Sequence, residues 1–139
     1  MSEEQAQQLL YQMQVLESYA ANLDQKEGAI MNFLREAMAS IDSIKGISQN
    51  PQADSLIPVG LGTYIKAKVS EDSKVLVDVG AGIVVEKDHN SAINYMESRI
   101  KELQIALNDT MTQKHEALMR LEQLKQQMNN LLQTANPQH

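Results

Sequence analysis

Two glycine pairs are the residues whose spacing could bind phosphate. A Val-Gly-x-Gly step occurs at residues 59–62 and again at 79–82. A dinucleotide loop needs a third glycine three residues later and a helix behind it. Ile65 and Val85 stand there instead, and alternating β-branched residues follow. The pairs therefore predict tight hairpin turns, in which φ is positive and a side chain would clash. These turn positions are Gly60, Gly62, Gly80 and Gly82.

Other chemically competent residues are too dispersed to predict a catalytic or metal site. The three histidines, His89, His115 and His139, form neither an H-x-x-x-H pair nor an H-E-x-x-H motif, and the chain has no cysteine. G-K-[ST] and G-x-S-x-G steps are also missing. We expect no catalytic residues, no metal and no cofactor. A nucleotide-dependent enzyme subunit remains as an alternative, and it predicts ATP or NAD binding at the glycine pairs.

Length and charge narrow the class of protein. The chain has 139 residues, enough for one domain, and a net charge of −6. Its acidic and basic residues are mixed, whereas a nucleic-acid-binding protein needs a concentrated basic face. No apolar run approaches the ~20 residues that span a bilayer, and no basic segment precedes an apolar stretch at the start. We expect a cytoplasmic protein that binds neither nucleic acid nor membranes.

Apolar residues recur at steps of three and four in both terminal thirds, which predicts two long coiled-coil helices. The first is predicted over residues 4–45 with Gly46 as its stop, followed by a polar linker to Ser55. The second is predicted over residues 91–135, with an N-cap at Asp88, Asn90 or Ser91 and Pro137 as its end. The first seam comprises Leu9, Met13, Leu16, Ala20, Leu23, Ile30, Leu34, Ala37, Ile41 and Ile44. The second comprises Ile93, Met96, Ile100, Leu103, Leu107, Leu121, Leu124, Met128 and Leu131.

Residues 56–87 alternate with a period of two and predict a double β-hairpin. Residues 56–59 turn into 63–69, residues 75–79 turn into 83–87, and residues 70–74 connect the two hairpins. Isolated hairpins are marginal in water, so partner strands from other chains are expected to close a sheet or barrel. We therefore expect an isolated subunit to be marginally stable. The predicted assembly side chains are Ile65, Ala67, Val69, Val75, Val77, Val79, Ile83 and Val85.

The predicted fold class is α+β: an antiparallel coiled coil of two long helices with two β-hairpins between them. In this pairing Glu27 comes level with residues 110–113, where the second seam falters. We predict a polar layer in which Glu27 and Lys114 interact. The alternative is one tolerated polar residue in each seam.

The free ends of the helices carry more apolar surface than a two-helix seam can bury. Adjacent leucines occur in both ends, where one of each pair should remain uncovered, and glutamines surround them. Methionine adds flexible apolar bulk that can repack against varied shapes. Such ends suit weak contact with exposed apolar segments, although they could also simply finish the coiled coil. The predicted tip residues are Leu9, Leu10, Met13, Met128, Leu131 and Leu132.

The sequence resembles the alpha-class subunits of the prefoldin family, in particular their archaeal form. The resemblance covers essentially the whole chain and is most specific in the steps LIPVG and VDVGAGIVVEK of residues 56–87. It implies a heterohexamer of two alpha-class and four beta-class subunits, joined by a β-barrel formed by the hairpins. It further implies that the coiled-coil tips hold unfolded client proteins and deliver them to a group II chaperonin without ATP.

We therefore predict an ATP-independent chaperone subunit and no enzymatic activity. The alternative is a structural or adaptor coiled coil that binds one folded partner. Capture of chemically unrelated unfolded proteins would distinguish the chaperone from the adaptor.

Overall fold

The computed structural model describes residues 2–135 and confirms the predicted order of elements. Helix α1 spans Ser2–Gln49 and helix α2 spans His89–Ala135. Between them lie strands β1 (Asp54–Gly60), β2 (Thr63–Lys68), β3 (Val75–Gly80) and β4 (Ile83–Lys87). The chain forms two compact units, which we call the end unit (residues 1–32 and 104–139) and the hairpin unit (residues 33–103).

Helix α1 is longer than predicted, because Gly46 does not end it. The helix continues to Gln49, and the amide of Asn50 still donates to the carbonyl of Gly46 over 3.0 Å. Half-buried Ile47 lines a groove with Leu56 and Val69, so the extra turn has apolar contacts. The stop comes from Pro51, since the residue before a proline is pushed out of helical geometry. The linker shortens accordingly, and β1 begins at Asp54.

Helix α2 begins two residues before its predicted start, and Asp88 is its N-cap. The Asp88 carboxylate accepts a 2.7 Å hydrogen bond from the amide of Ser91, the third residue of the helix. That hydrogen bond is the main reason why the pKa of Asp88 lies below its ordinary value of 3.8, and a hydrogen bond from the Ser91 side chain is the second. Pro137 and His139 lie outside the described residues.

The four strands form two separate antiparallel hairpins, β1–β2 and β3–β4. Ile57 pairs with Ile65 in the first hairpin, and Val77 pairs with Val85 in the second. The strand bounds match the prediction to within two residues at each end; Val69 lies just beyond β2. Each hairpin thus leaves its two outer strand edges unpaired within the described part of the chain.

The glycine pairs form hairpin turns, as predicted, and both turns have the same geometry. In the first, Leu61 and Gly62 have φ values of 49° and 74°; in the second, Ala81 and Gly82 have 53° and 76°. Positive φ at both central residues is the type I′ signature. Gly60 and Gly80, at φ 114° and 113°, occupy irregularities of the ladder directly before the turns.

The predicted clash at these glycines is wrong. A Cβ added at any of the four would meet nothing within 4 Å. Glycine is required because the backbone has positive φ, not because space is short. Each pair also leads into a second antiparallel strand and not into a helix, which contradicts the phosphate-loop alternative.

The core of the hairpin unit joins β3 to both helices. Ile44, Val77 and Ala92 are buried together, and four partly buried residues pack against them. At the same end of the helices, the Ser48 hydroxyl and Nδ1 of His89 are hydrogen-bonded at 2.8 Å. The packed residues are Val75, Ile93, Tyr95 and Met96.

The core of the end unit follows the predicted seams through both helices. Its buried apolar residues are Ala20, Leu23, Ile30, Ala117, Leu121 and Leu124. The predicted faltering of the second seam is wrong, because Thr110, Lys114 and Ala117 continue the three-four spacing. Thr110 is 1% exposed, and its hydroxyl donates to the carbonyl of Ala106 over 2.8 Å. At this level the seam positions are occupied by polar residues, while their three-four spacing is kept.

Lys114 links the two helices of the end unit through two ion pairs. Its Nζ lies 2.7 Å from the Asp24 carboxylate and 3.1 Å from that of Glu27. The hydrogen bonds to Asp24 and then to Glu27 raise the pKa of Lys114 above its ordinary value of 10.5. The predicted contact between Glu27 and Lys114 is confirmed, and Asp24 is a partner that the seam pattern did not indicate.

Candidate interaction surfaces

The first candidate surface is formed by the helix ends of the end unit. Leu9 and Leu131 are half-buried, whereas Leu10 and Leu132 are 50% and 56% exposed. The expectation that one leucine of each adjacent pair would stay uncovered is therefore met. Met13 and Met128 are half-buried as well, so the exposed apolar area of this surface comes chiefly from Leu10 and Leu132.

Glutamines surround these leucines on both helices. Leu9 and Leu131 line a shallow groove of about 230 Å³ together with four glutamine side chains. Neutral amides both donate and accept hydrogen bonds, so they suit a polypeptide backbone of any sequence. The glutamines of the groove are Gln5, Gln8, Gln12 and Gln127.

The sequence analysis missed a second exposed apolar feature of α1. Tyr11, Val15 and Tyr19 are 68%, 49% and 45% exposed. Their four-residue spacing places them along one face of the helix, and none of them belongs to the seam. An apolar residue every fourth position outside the seam was the signal that could have identified them. We call these three residues the tyrosine stripe.

The second candidate surface consists of the two β-hairpins. Eleven large apolar side chains there are at least 37% exposed. They include residues of both faces of each hairpin, whereas the sequence analysis selected one face only. Unpaired edges combined with apolar faces are the features by which a strand pair docks onto other strands. The exposed residues are Leu56, Ile57, Val59, Leu61, Tyr64, Ile65, Leu76, Val79, Ile83, Val84 and Val85.

Two of the predicted assembly residues serve the chain's own core instead of an open surface. Val77 is 8% exposed, and Val75 packs against the cluster that contains it. Ala67 and Val69 are half-buried. Ile65, Val79, Ile83 and Val85 remain exposed, so the part of the prediction that needs uncovered side chains now rests on these four.

A groove of about 570 Å³ in the hairpin unit lies beside the end of β3. Phe33, Met96 and Leu103 supply apolar lining from the helices, while Asp78 and Arg99 place charges at its edge. Phe33 is 57% exposed. The groove therefore adjoins the exposed strand faces and enlarges the apolar area of that unit.

Within residues 2–135, no three His, Asp or Glu side chains come close enough together to hold a metal ion. None of the helices among these residues is long and apolar enough to cross a membrane.

Two long helices flanking a pair of β-hairpins, with apolar helix ends and open strand edges, define a class of coiled-coil assembly subunits. The family model for prefoldin subunits matches residues 13–136. The chain belongs to the prefoldin family, and its curated relatives place it with the alpha-class subunits.

The relatives cover most of the chain. The chain is 55% identical over 133 residues to prefoldin subunit alpha of Nitrosopumilus maritimus. The matched region spans 96% of this chain and 92% of that protein. The alpha subunit of Methanococcoides burtonii is 31% identical over 125 residues, covering 87% and 91% of the two chains. The resemblance to alpha-class prefoldin subunits, most specific in residues 56–87, is thus confirmed.

Solved structures show the same fold. The crystal structure of the prefoldin beta subunit from Thermococcus strain KS-1 is similar with a TM-score of 0.63 and 21% identity, over 94% of this chain and 91% of that one. The cryo-EM structure of filamentous PFD from Methanocaldococcus jannaschii gives a TM-score of 0.54 and 26% identity, with 90% and 98% coverage. The predicted fold class is confirmed.

Proposed function

We propose that this chain is a subunit of an ATP-independent chaperone that captures unfolded proteins at its helix ends and transfers them to a group II chaperonin. Two copies assemble with four beta-class prefoldin subunits, and the β-hairpins close an intersubunit β-barrel. The chain acts by reversible binding in the cytoplasm and catalyses no reaction. Membership of the prefoldin family supports the chaperone role.

The exposure of Leu10 and Leu132 is the observation that carries this proposal. Both leucines lie in water at the helix ends, beside a groove lined with amides. Covering the exposed half of one leucine is worth about 1 kcal/mol, which by itself gives a weak and rapidly released contact. Several such ends acting together would raise the affinity by about 10²–10⁴, so capture and release need no nucleotide.

Assembly through the hairpins is supported by their incomplete structure in the single chain. A two-stranded ribbon is marginal in water, and here both ribbons expose apolar side chains on open edges. Pairing with strands of other subunits would satisfy the edge amides and carbonyls and cover the apolar faces.

Aggregation suppression by the assembled complex tests the role of the helix ends. The variant Leu10→Ser/Leu132→Ser removes two exposed side chains and should leave folding and assembly intact, because neither belongs to the core. We expect a severalfold higher concentration of this variant to be needed to protect a denatured client. Met38→Ser/Ile105→Ser is the matched control, since these residues are 48% and 65% exposed but lie outside the helix ends. Equal protection by both variants would contradict the proposal.

Assembly is tested separately by the mass of the complex with the beta-class subunit. Native mass spectrometry should find two copies of this chain with four beta-class partners. The variant Ile57→Lys/Ile65→Lys places two charges at a cross-strand pair that is exposed in the single chain, and it should abolish the complex. Protection of several chemically unrelated clients excludes the adaptor alternative, which predicts binding of one folded partner only.

A further inference from the structure

The tyrosine stripe lies next to the helix-end surface and is not used by the fold of the described chain. Tyr11, Val15 and Tyr19 project from α1 outside its seam, with about half or more of each side chain exposed. Single exposed apolar residues are ordinary, but three in line make a continuous patch. Two of the chain's four tyrosines are in this patch.

The stripe begins where the proposed client site ends. Tyr11 directly follows the exposed Leu10 in the chain, and it lines an open groove of about 330 Å³ with Glu4 and three glutamines. A polypeptide bound at the helix ends can therefore continue along α1 to Tyr11 across Gln8 and Gln12, which line both grooves. An extended segment of about four to five residues would reach from Leu10 to Tyr19, because nine helical residues rise only about 14 Å while extended chain covers ~3.3 Å per residue.

Charge around the stripe is one-sided. Residues 1–23 contain three acidic residues and no lysine or arginine. Residues 115–135 of α2, which supply the other helix end, contain two acidic and two basic residues and add no net charge. The helix ends therefore carry −3 of the chain's formal −6. The acidic residues of the first segment are Glu3, Glu4 and Glu17.

We propose that the tyrosine stripe extends the client site, and that it selects apolar segments of unfolded proteins that also carry lysine or arginine. This inference rests on the proposed function and names the clients that the site prefers. The tyrosine rings can accept a cationic side chain on their faces. Glu4 adjoins Tyr11 in the groove, and exposed Glu17 adds a further negative charge to the same segment of α1. Segments flanked by acidic residues meet the same apolar surface but are repelled.

Binding of three labelled peptides to the assembled complex tests the charge preference. All share one apolar core, which is flanked on each side by two lysines, two serines or two glutamates. We expect the lysine-flanked peptide to bind about tenfold more tightly than the glutamate-flanked one at 50 mM salt, because several weak exposed charge pairs act together. The ratio should shrink to about twofold or less at 0.5 M salt, where charges are screened within a few ångströms.

Two variants separate the stripe from the charge. Tyr11→Ser/Val15→Ser/Tyr19→Ser should weaken all three peptides at least threefold. Glu3→Gln/Glu4→Gln/Glu17→Gln should remove most of the lysine preference and leave the serine-flanked peptide unchanged. Asp42→Asn/Glu71→Gln/Glu97→Gln removes as many exposed acidic residues from the hairpin unit and should keep the preference. Circular dichroism and complex mass confirm that each variant folds and assembles.

The outcomes distinguish this inference from the function on which it rests. If none of the three peptides binds, the proposed chaperone function itself fails. If all three bind with equal affinity, the helix ends capture apolar segments but the charge preference is refuted. Full affinity in the stripe variant, with the lysine preference retained, would overturn the assignment of the stripe as part of the site.

Discussion

Lys114 of α2 donates a hydrogen bond from Nζ to the carboxylate of Glu27 on α1, 3.1 Å away, at a level where each seam would otherwise place an apolar residue. The Lys114 and Glu27 side chains are 28% and 20% exposed, and Asp24 supplies a second carboxylate from the solvent side. An interhelical polar contact of this kind is best known as a device that sets register. The pair satisfies itself only when the two helices are aligned as they are here.

Removing one member of this pair should cost more stability than removing both. Lys114→Met leaves the half-buried Glu27 carboxylate without its cationic partner, so thermal unfolding should move to lower temperature. Glu27→Leu/Lys114→Met replaces the pair with an apolar layer and should unfold at or above the temperature of the parent. A single variant as stable as the parent would show that the ion pair contributes nothing.

The same level should be the least protected part of the end unit. Gly28 adjoins Glu27 and weakens its helical turn by about 1 kcal/mol relative to alanine, and Thr110 and Lys114 take positions that leucines hold elsewhere. Hydrogen exchange of backbone amides should therefore be faster over residues 24–30 and 110–116 than over residues 16–23 and 117–124. Uniform protection along both helices would contradict a soft polar layer.

The N-cap of α2 should lose its contribution in acid. The pKa of Asp88 is lower in the folded chain than its ordinary value of 3.8, so folding favours the ionised form. The resulting stability is fully present above pH 3.8 and is lost as the pH falls through the lowered value. Asp88→Asn keeps the cap acceptor without a titrating group. The stability difference between parent and variant, measured by urea unfolding, should therefore shrink below pH 3.8. A difference that is independent of pH would contradict a stabilising ionised cap.

Because φ is positive in the hairpin turns, substitutions at two neighbouring positions should change stability in opposite directions. Gly80→Ala forces a side chain onto a φ of 113° and should destabilise the chain by about 1–3 kcal/mol. Ala81→Gly relieves a residue already at φ 53° and should be neutral or slightly stabilising. Urea unfolding of the chain measures both. Equal effects would contradict a turn that is governed by backbone conformation.

Local patterns predicted most of the fold. The three-four spacing of leucine, isoleucine and alanine predicted both helices, because an apolar stripe follows directly from helical periodicity. The Val-Gly-x-Gly steps predicted both turns, since few residues besides glycine adopt positive φ. The boundaries of the helices were predicted less well. Gly46 permits a helix to stop but does not enforce it, whereas Pro51 does.

The candidate surfaces were predicted only in part, for a different reason. The leucine pairs indicated that one member of each would be exposed, and the structure identifies Leu10 and Leu132 as those members. The tyrosine stripe was not predicted, because the seam pattern identifies only the residues between the two helices and not apolar residues beside the seam. Whether these surfaces bind unfolded proteins stays a prediction for the experiments above.

Repeats and turn residues, which depend on neighbours along the chain, already specified two long helices and two glycine turns, and the resemblance in residues 56–87 indicated the prefoldin family. The sequence pattern alone could not show that Val77 is buried while its strand partner Val85 is exposed. Nor could it show that Asp88 caps α2 in preference to Asn90 and Ser91. Nor did the seam pattern reveal that Asp24 joins Glu27 on Lys114. Burial and pairing of this kind depend on contacts between residues far apart in sequence, and those contacts arise only when the helices and hairpins pack together.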